Sequence, residues 1–182
     1  QGGAHIAAGG GFDEPPPPLQ MRARAFIKVQ DGCNNFCSYC IIPYLRGRTC
    51  SRSLESAAAE ILSQKAAEVV ITGIDLSSYN DRGRGLSELL LAVKDAPCRI
   101  RLGSLEAGVI TEHLLEAAKQ VRRFAPHFHL SLQSGSDAVL KKMNRHYTRE
   151  QFLEKVRLIR SVFPDAAVTT DVIVGFPGET EE

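Results

Sequence analysis

Asp31-Gly32-Cys33-Asn34-Asn35-Phe36-Cys37-Ser38-Tyr39-Cys40 is the stretch from which the rest of the chain is read. Three of the five cysteines fall in it, spaced C-x3-C-x2-C. Thiolates this close can converge on one soft metal centre if the backbone loops around it. A mononuclear zinc site normally takes four protein ligands, often as two paired arms. Cys50 and Cys98 are isolated and offer no second arm. Three ligands suit a four-iron cluster with one iron left open to a substrate or cofactor. A structural zinc knuckle, buried thiols or a disulfide would draw on the same residues. The odd total of five cysteines argues against a disulfide framework and for a reducing compartment.

Composition sets the bounds. The 182 residues are 43% hydrophobic and 24% charged with a net charge of +1, the profile of one ordinary domain able to bury a core. There is no apolar run of roughly eighteen residues and no signal-peptide pattern, so a cytoplasmic location without membrane contact is expected. Near-neutral charge is not the basic footprint of a stand-alone nucleic-acid binder. Residues 1–24 read as a flexible spacer, with Gly2, Gly3 and Gly9 to Gly11 followed by Pro15 to Pro18. His5, alone in that stretch, reads as a solvated side chain.

From Ala25 onward strand, loop and helix alternate. The runs 25–29, 69–72, 99–102, 128–132 and 167–174 are β-rich. Residues 54–65, 86–93, 111–121 and 149–162 carry apolar stripes at helical spacing, and a shorter helix begins near Asp137. Ser53 caps the first of these helices through its hydroxyl. Five strands alternating with helices predict an α/β chain with a parallel sheet, and chemistry at the C-terminal strand ends. The polar clusters fall there: the cysteines, Thr72 to Asp75, Gly103 to Glu106, Gln133 to Ser136 and Gly175 to Gly178.

The cysteine spacing, with aromatic Tyr39 just before the last cysteine, resembles the radical S-adenosylmethionine (SAM) superfamily. Ile41-Ile42-Pro43-Tyr44-Leu45-Arg46-Gly47-Arg48 and Gly175-Phe176-Pro177-Gly178-Glu179-Thr180 resemble its methylthiotransferases. Val29 to Asn35 looks most like the branch acting on threonylcarbamoyladenosine beside the tRNA anticodon. The resemblance runs from about Phe26 to the end. It implies an incomplete (β/α)6 partial TIM barrel over residues 25–182, stopping before a sixth strand. A sulfur-handling domain with a second [4Fe–4S] cluster and a C-terminal RNA-binding domain are expected outside these residues. Isopentenyladenosine-tRNA or ribosomal-protein methylthiolation are the alternatives within the family. A non-catalytic zinc-stabilised binding domain is the alternative of another class.

The resemblance further implies that Cys33, Cys37 and Cys40 hold a [4Fe–4S] cluster whose open iron takes SAM, with a reductase or flavodoxin-type protein as electron donor. Tyr39 then faces the adenine, or packs on Ile41 or Ile42. Thr72 and Gly73 face the SAM amino group, or form a plain turn. Ser104 and Glu106 reach SAM's amino acid or ribose, and Gln133 and Ser134 its ribose unless they cap the helix near Asp137. Ile173 and Gly175 match part of an adenine-facing motif. Asp171 stands there in place of a glycine, and the glutamate is displaced to Glu179. Arg46, Arg48 and Arg52 form a basic cluster suited to SAM's carboxylate or to tRNA phosphate. Cys98 reads as a buried thiol. Only weak SAM cleavage, and no tRNA modification, is expected of these 182 residues alone.

Overall fold

The computed structural model describes residues 23–181. The expected spacer up to residue 22, with His5, lies outside them. Strand β1, Arg24–Asp31, begins inside the expected spacer boundary and alternates between two environments. Ala25, Ile27 and Val29 are at most 2% exposed, whereas Phe26 is 55% exposed. The first face packs against helices, and the opposite one lines the concave side of the sheet.

Four further elements build the first half. They are α1 (Ile42–Leu45), β2 (Cys50–Ser51), α2 (Leu54–Ser63) and β3 (Glu68–Gly73). The second half follows with α3 (Leu86–Ala92), β4 (Arg99–Leu102), β5 (Ser104–Leu105), α4 (Glu112–Gln120), β6 (His127–Leu130), α5 (Asp137–Lys142), α6 (Arg149–Val162) and β7 (Ala167–Thr169). Sheet order is β2-β1-β3-β4 in one ladder and β5-β6-β7 in the next. β4 and β5 are one strand bent at Gly103, so the two ladders curl as one wall. Gly103 N still donates to Ile71 O at 2.8 Å. The expected partial barrel is present, with helices α2, α3, α4 and α6 packed along its outer side.

Helix starts follow the local code. Ser53 accepts from Ser56 N, Thr111 from Leu114 N, and Thr148 with Gln151 forms a capping box. Apolar stripes then bury Ala57 and Ile61, Leu114 and Leu115, and Phe152 and Ile159. Cys98, 2% exposed, is the buried thiol the sequence suggests.

Two expectations need correction. The sheet is not wholly parallel, because β2 pairs antiparallel to β1 through Asp31 and Cys50. The fifth expected strand, 167–174, ends at Thr169. The pairing slips by one residue between His129–Thr169 and the Gln133–Val172 bridge, where Gln133 adopts a left-handed backbone (φ 69°). Thr170 Oγ1 instead accepts from Leu132 N, and Val172 keeps only an isolated bridge to Gln133.

Candidate functional site

The loop after β1 leaves the sheet through Gly32, whose φ of +69° and contact with Arg48 O leave no room for a side chain. Cys33 N donates to Gly47 O, so the loop doubles back over the 47–49 segment. Its far side rests on the end of α5. Ser38 N donates to Met143 O and Ser38 Oγ to Lys142 O, supplying donors to carbonyls that a helix end leaves open. Asn144 Nδ2 donates to Asn35 O and Phe36 O.

Beneath the loop, Gln30 is fully buried at the end of β1. Its Nε2 lies within reach of Asp31 O, Gly32 O, Thr49 Oγ1 and Ser78 Oγ, and its Oε1 accepts from Asp75 N. A Cβ on Gly73 would lie 2.8 Å from that Oε1. The missing side chain at Gly73 therefore makes room for Gln30 and joins the cysteine loop to the end of β3.

These elements enclose a cleft of about 150 Å³ at the C-terminal strand ends. Cys33, Cys37 and Cys40 all line it, with Tyr39, Ser104, Glu106, Asp75 and Arg145. Cys37 is the most buried of the three thiols. Arg145 Nη1 sits 3.3 Å from Cys37 Sγ and 2.8 Å from Glu106 Oε1, and the guanidinium lies over the Tyr147 ring. Asn35 Nδ2 donates to Glu106 at 2.9 Å and lies 3.4 Å from Asp75 Oδ2.

The interior is poorly solvated and rich in acids. Burial pushes the Asp75 and Glu106 carboxyls up; Arg145 opposes this at both. Burial also raises the Cys33 thiol, and the charges of Asp75 and Glu106 add to it. Tyr39 is 40% exposed, yet burial pushes its phenol, beside Cys37, up.

The other expected site residues lie elsewhere. Thr72 is half-buried beside Gly103 and outside the cleft. Gln133 bonds through its backbone to Asp171 O and Ile173 N, which occupies the Ile173 amide. Ser134 is 2% exposed and accepts from Ser136 N at the start of α5, the local turn that competed with a ribose contact. Gly175 N donates to the Glu179 carboxylate. Ser134 and Glu179 line a separate depression of about 700 Å³. Arg52 requires correction: it is 7% exposed and ion-paired with buried Glu60, so it faces neither SAM nor RNA. Arg46 pairs with Asp31, and Arg48 lies over the Phe36 ring.

Asp75, Arg145 and Asn35 were missed as site residues. Asp75 carried a signal, a polar residue just past a strand. Arg145 carried none, because its place depends on the α5 end meeting the cysteine loop.

The radical SAM superfamily model matches residues 27–182. This chain belongs to the radical SAM superfamily. Among relatives of this radical SAM chain is the threonylcarbamoyladenosine tRNA methylthiotransferase MtaB of Chlamydia pneumoniae, 52% identical over 169 residues, covering 90% of this chain and 40% of that protein. The protein of the same name from Thermotoga maritima is 44% identical, over 90% of this chain and 39% of that one. A tRNA-2-methylthio-N(6)-dimethylallyladenosine synthase of Thermoanaerobacter sp. is 42% identical, over 94% and 38%. The chain thus spans about two fifths of the length of these relatives. Among solved structures, the radical SAM methyltransferase TsrM of Kitasatospora setae superposes with a TM-score of 0.70 at 20% identity, covering 85% of this chain and 32% of that one. That likeness shows the fold.

Radical SAM membership implies a [4Fe–4S] cluster and SAM. The cleft fits the first. Three thiols share one wall, and a guanidinium beside Cys37 offsets the charge that thiolates would bring. Among the described residues, no three His, Cys, Asp or Glu side chains close on a point as a single ion would require. Among the same residues, no helix is long and apolar enough to cross a membrane.

Proposed function

We propose that this chain is the radical SAM core of a methylthiotransferase acting on threonylcarbamoyladenosine beside the tRNA anticodon. The observation that carries this reading is the convergence of Cys33, Cys37 and Cys40 on one cleft in a chain 52% identical to an enzyme of that name. Relatives named for threonylcarbamoyladenosine are 42% to 52% identical and those named for dimethylallyladenosine 41% to 42%, which favours the threonylcarbamoyl branch.

In this reading Cys33, Cys37 and Cys40 would hold the cluster through their thiolates. When bound, the cluster and SAM together supply a 5′-deoxyadenosyl radical and methionine, chemistry no side chain provides. The chain's own residues bind and orient. Glu106 and Arg145, an adjacent acid and cation, suit the ammonium and carboxylate of an amino acid. Ser104 adds a hydroxyl on the same wall, and Tyr39 a ring at the mouth. Leu105, Ile42 and Ile74 make the remaining wall apolar and keep water from the reacting atoms. Gly73 makes room for Gln30 beneath the cysteine loop, while Thr72, Gln133, Ser134, Ile173 and Gly175 lie outside the cleft lining. The electron would come from a reductase or flavodoxin-type donor, and a second cluster outside these residues would handle the sulfur.

The test uses the full-length gene product, reconstituted anaerobically and given SAM, a reductant and threonylcarbamoyl-modified tRNA. Mass spectrometry of the nucleosides should show a methylthio product. Cys37→Ala should lose this cluster's share of the iron and of the iron–sulfur absorbance, leaving the second cluster's, and should lose the product. Stoichiometric zinc without iron in the wild type would overturn the reading, as would product formation undiminished in Cys37→Ala.

A further inference from the structure

Tyr44 is 66% exposed, although it is aromatic and lies in α1 beside buried Pro43. Its ring is nevertheless held. It meets Phe36 edge-on, with centroids 5.6 Å apart and planes at 79°. The Arg48 guanidinium lies 4.8 Å from the Phe36 centroid. Phe36 is itself pinned, with a left-handed backbone (φ 49°) and its carbonyl bonded to Asn144 Nδ2. Around Tyr44, Ile41 and Leu45 are 59% and 62% exposed. Exposed apolar side chains gathered beside cations mark a binding surface rather than a folding requirement.

The patch is continuous with the cleft. Ile42 precedes Tyr44 by two residues and lines the cleft wall, as do Tyr39 and Ile74, both about two-fifths exposed. A partner that fits must present flat apolar faces joined by negative charge, because exposed Arg48 sits among these rings and aliphatic chains. Single-stranded nucleic acid has that chemistry, and each base stacked on an aromatic ring contributes about 1–3 kcal/mol. A base drawn out of a loop into a pocket also leaves its neighbours unstacked, and they need a new surface.

We propose that Tyr44, braced by Phe36 and Arg48, is a stacking platform for a base next to the adenosine that enters the cleft. The proposal rests on the tRNA reading above and adds the surface that receives the loop. The experiment measures binding of a modified anticodon stem-loop RNA to the reconstituted full-length gene product across a range of salt. Tyr44→Ala should weaken binding about tenfold, within the range for one stacked base. Tyr44→Phe should stay within about twofold of wild type. The salt slope should not change in Tyr44→Ala, since stacking releases no counterions. A 2-aminopurine placed beside the target adenosine should be quenched in the wild-type complex and brighter with Tyr44→Ala. Equal affinity for wild type and Tyr44→Ala would overturn the platform while leaving the tRNA reading intact. Failure of the wild type to bind the stem-loop would overturn both. Unchanged RNA affinity with a lowered melting temperature and faster proteolysis would assign the patch to a protein contact and overturn the proposal.

Discussion

Gly32 and Gly47 both have left-handed backbones, but they carry different weight. A methyl on Gly32 would lie 2.1 Å from Arg48 O, whereas one on Gly47 would meet nothing within 4 Å. Gly32→Ala is expected to cost at least about 2 kcal/mol and to release the cysteine loop. Gly47→Ala should cost about 1 kcal/mol, from backbone conformation alone. Urea unfolding and iron content of the two variants check this, and equal losses would refute the distinction. Arg52 makes another residue-level case. It pairs with buried Glu60 and bonds to Ser56 Oγ, while its own Nε is buried without a partner. Arg52→Ala leaves the carboxylate buried and alone, for an expected loss of about 3 kcal/mol. RNA affinity per folded molecule should not move. A fall in affinity with unchanged stability would return Arg52 to the nucleic-acid surface.

At the scale of elements, the cysteine loop and the end of α5 form one unit. α5 is a short helix, and the residue closing its end, Asn144, has φ 58°. Asparagine tolerates that conformation, and its side chain also reaches Asn35 O and Phe36 O. Asn144→Gly keeps the backbone free to turn and removes only those bonds. It is expected to cost about 1 kcal/mol and to speed amide exchange in residues 35–38. Hydrogen exchange followed by mass spectrometry reads this directly. Faster exchange confined to α5, with the loop unchanged, would show that the two elements are independent.

Across the whole molecule, charge is arranged by strand register. Glu68 at the start of β3 is joined by Arg24 from β1 and by Arg99 and Arg101 from β4, all on the concave side. The hydrogen bond from Arg101 is the chief cause that holds the Glu68 carboxyl below its ordinary value of 4.5. A carboxyl whose folded pKa is depressed stabilises the fold above its unfolded value. That stabilisation is lost as pH falls through the lowered folded value. Wild type should therefore lose stability on acidification from just above pH 4.5 downward, and Glu68→Gln should lose less over the same interval. At neutral pH the variant should be less stable by about 1–2 kcal/mol. Denaturant titrations at several pH values test it, and parallel stability curves for the two proteins would refute the assignment.

The sequence by itself determined what local chemistry can dictate. Periodicity placed α6 at its ends, the capping hydroxyl of Ser53 placed the start of α2, and β4 was read residue for residue. The cysteine spacing placed the cleft, because three thiols and their loop are contiguous in the chain. What the tertiary structure decided depends on residues far apart in sequence. Arg145 reaches Cys37 across 108 positions, and Glu106 meets Asn35 across 71, through the meeting of strand ends and a helix end. Arg52 and Arg48 are alike in sequence, yet one is sealed against Glu60 and the other lies on the surface. Strand β7 stopped short for the same kind of reason. Its residues favour a strand, but a ladder needs a partner in register, and the pairing slips by one residue between His129–Thr169 and Gln133–Val172.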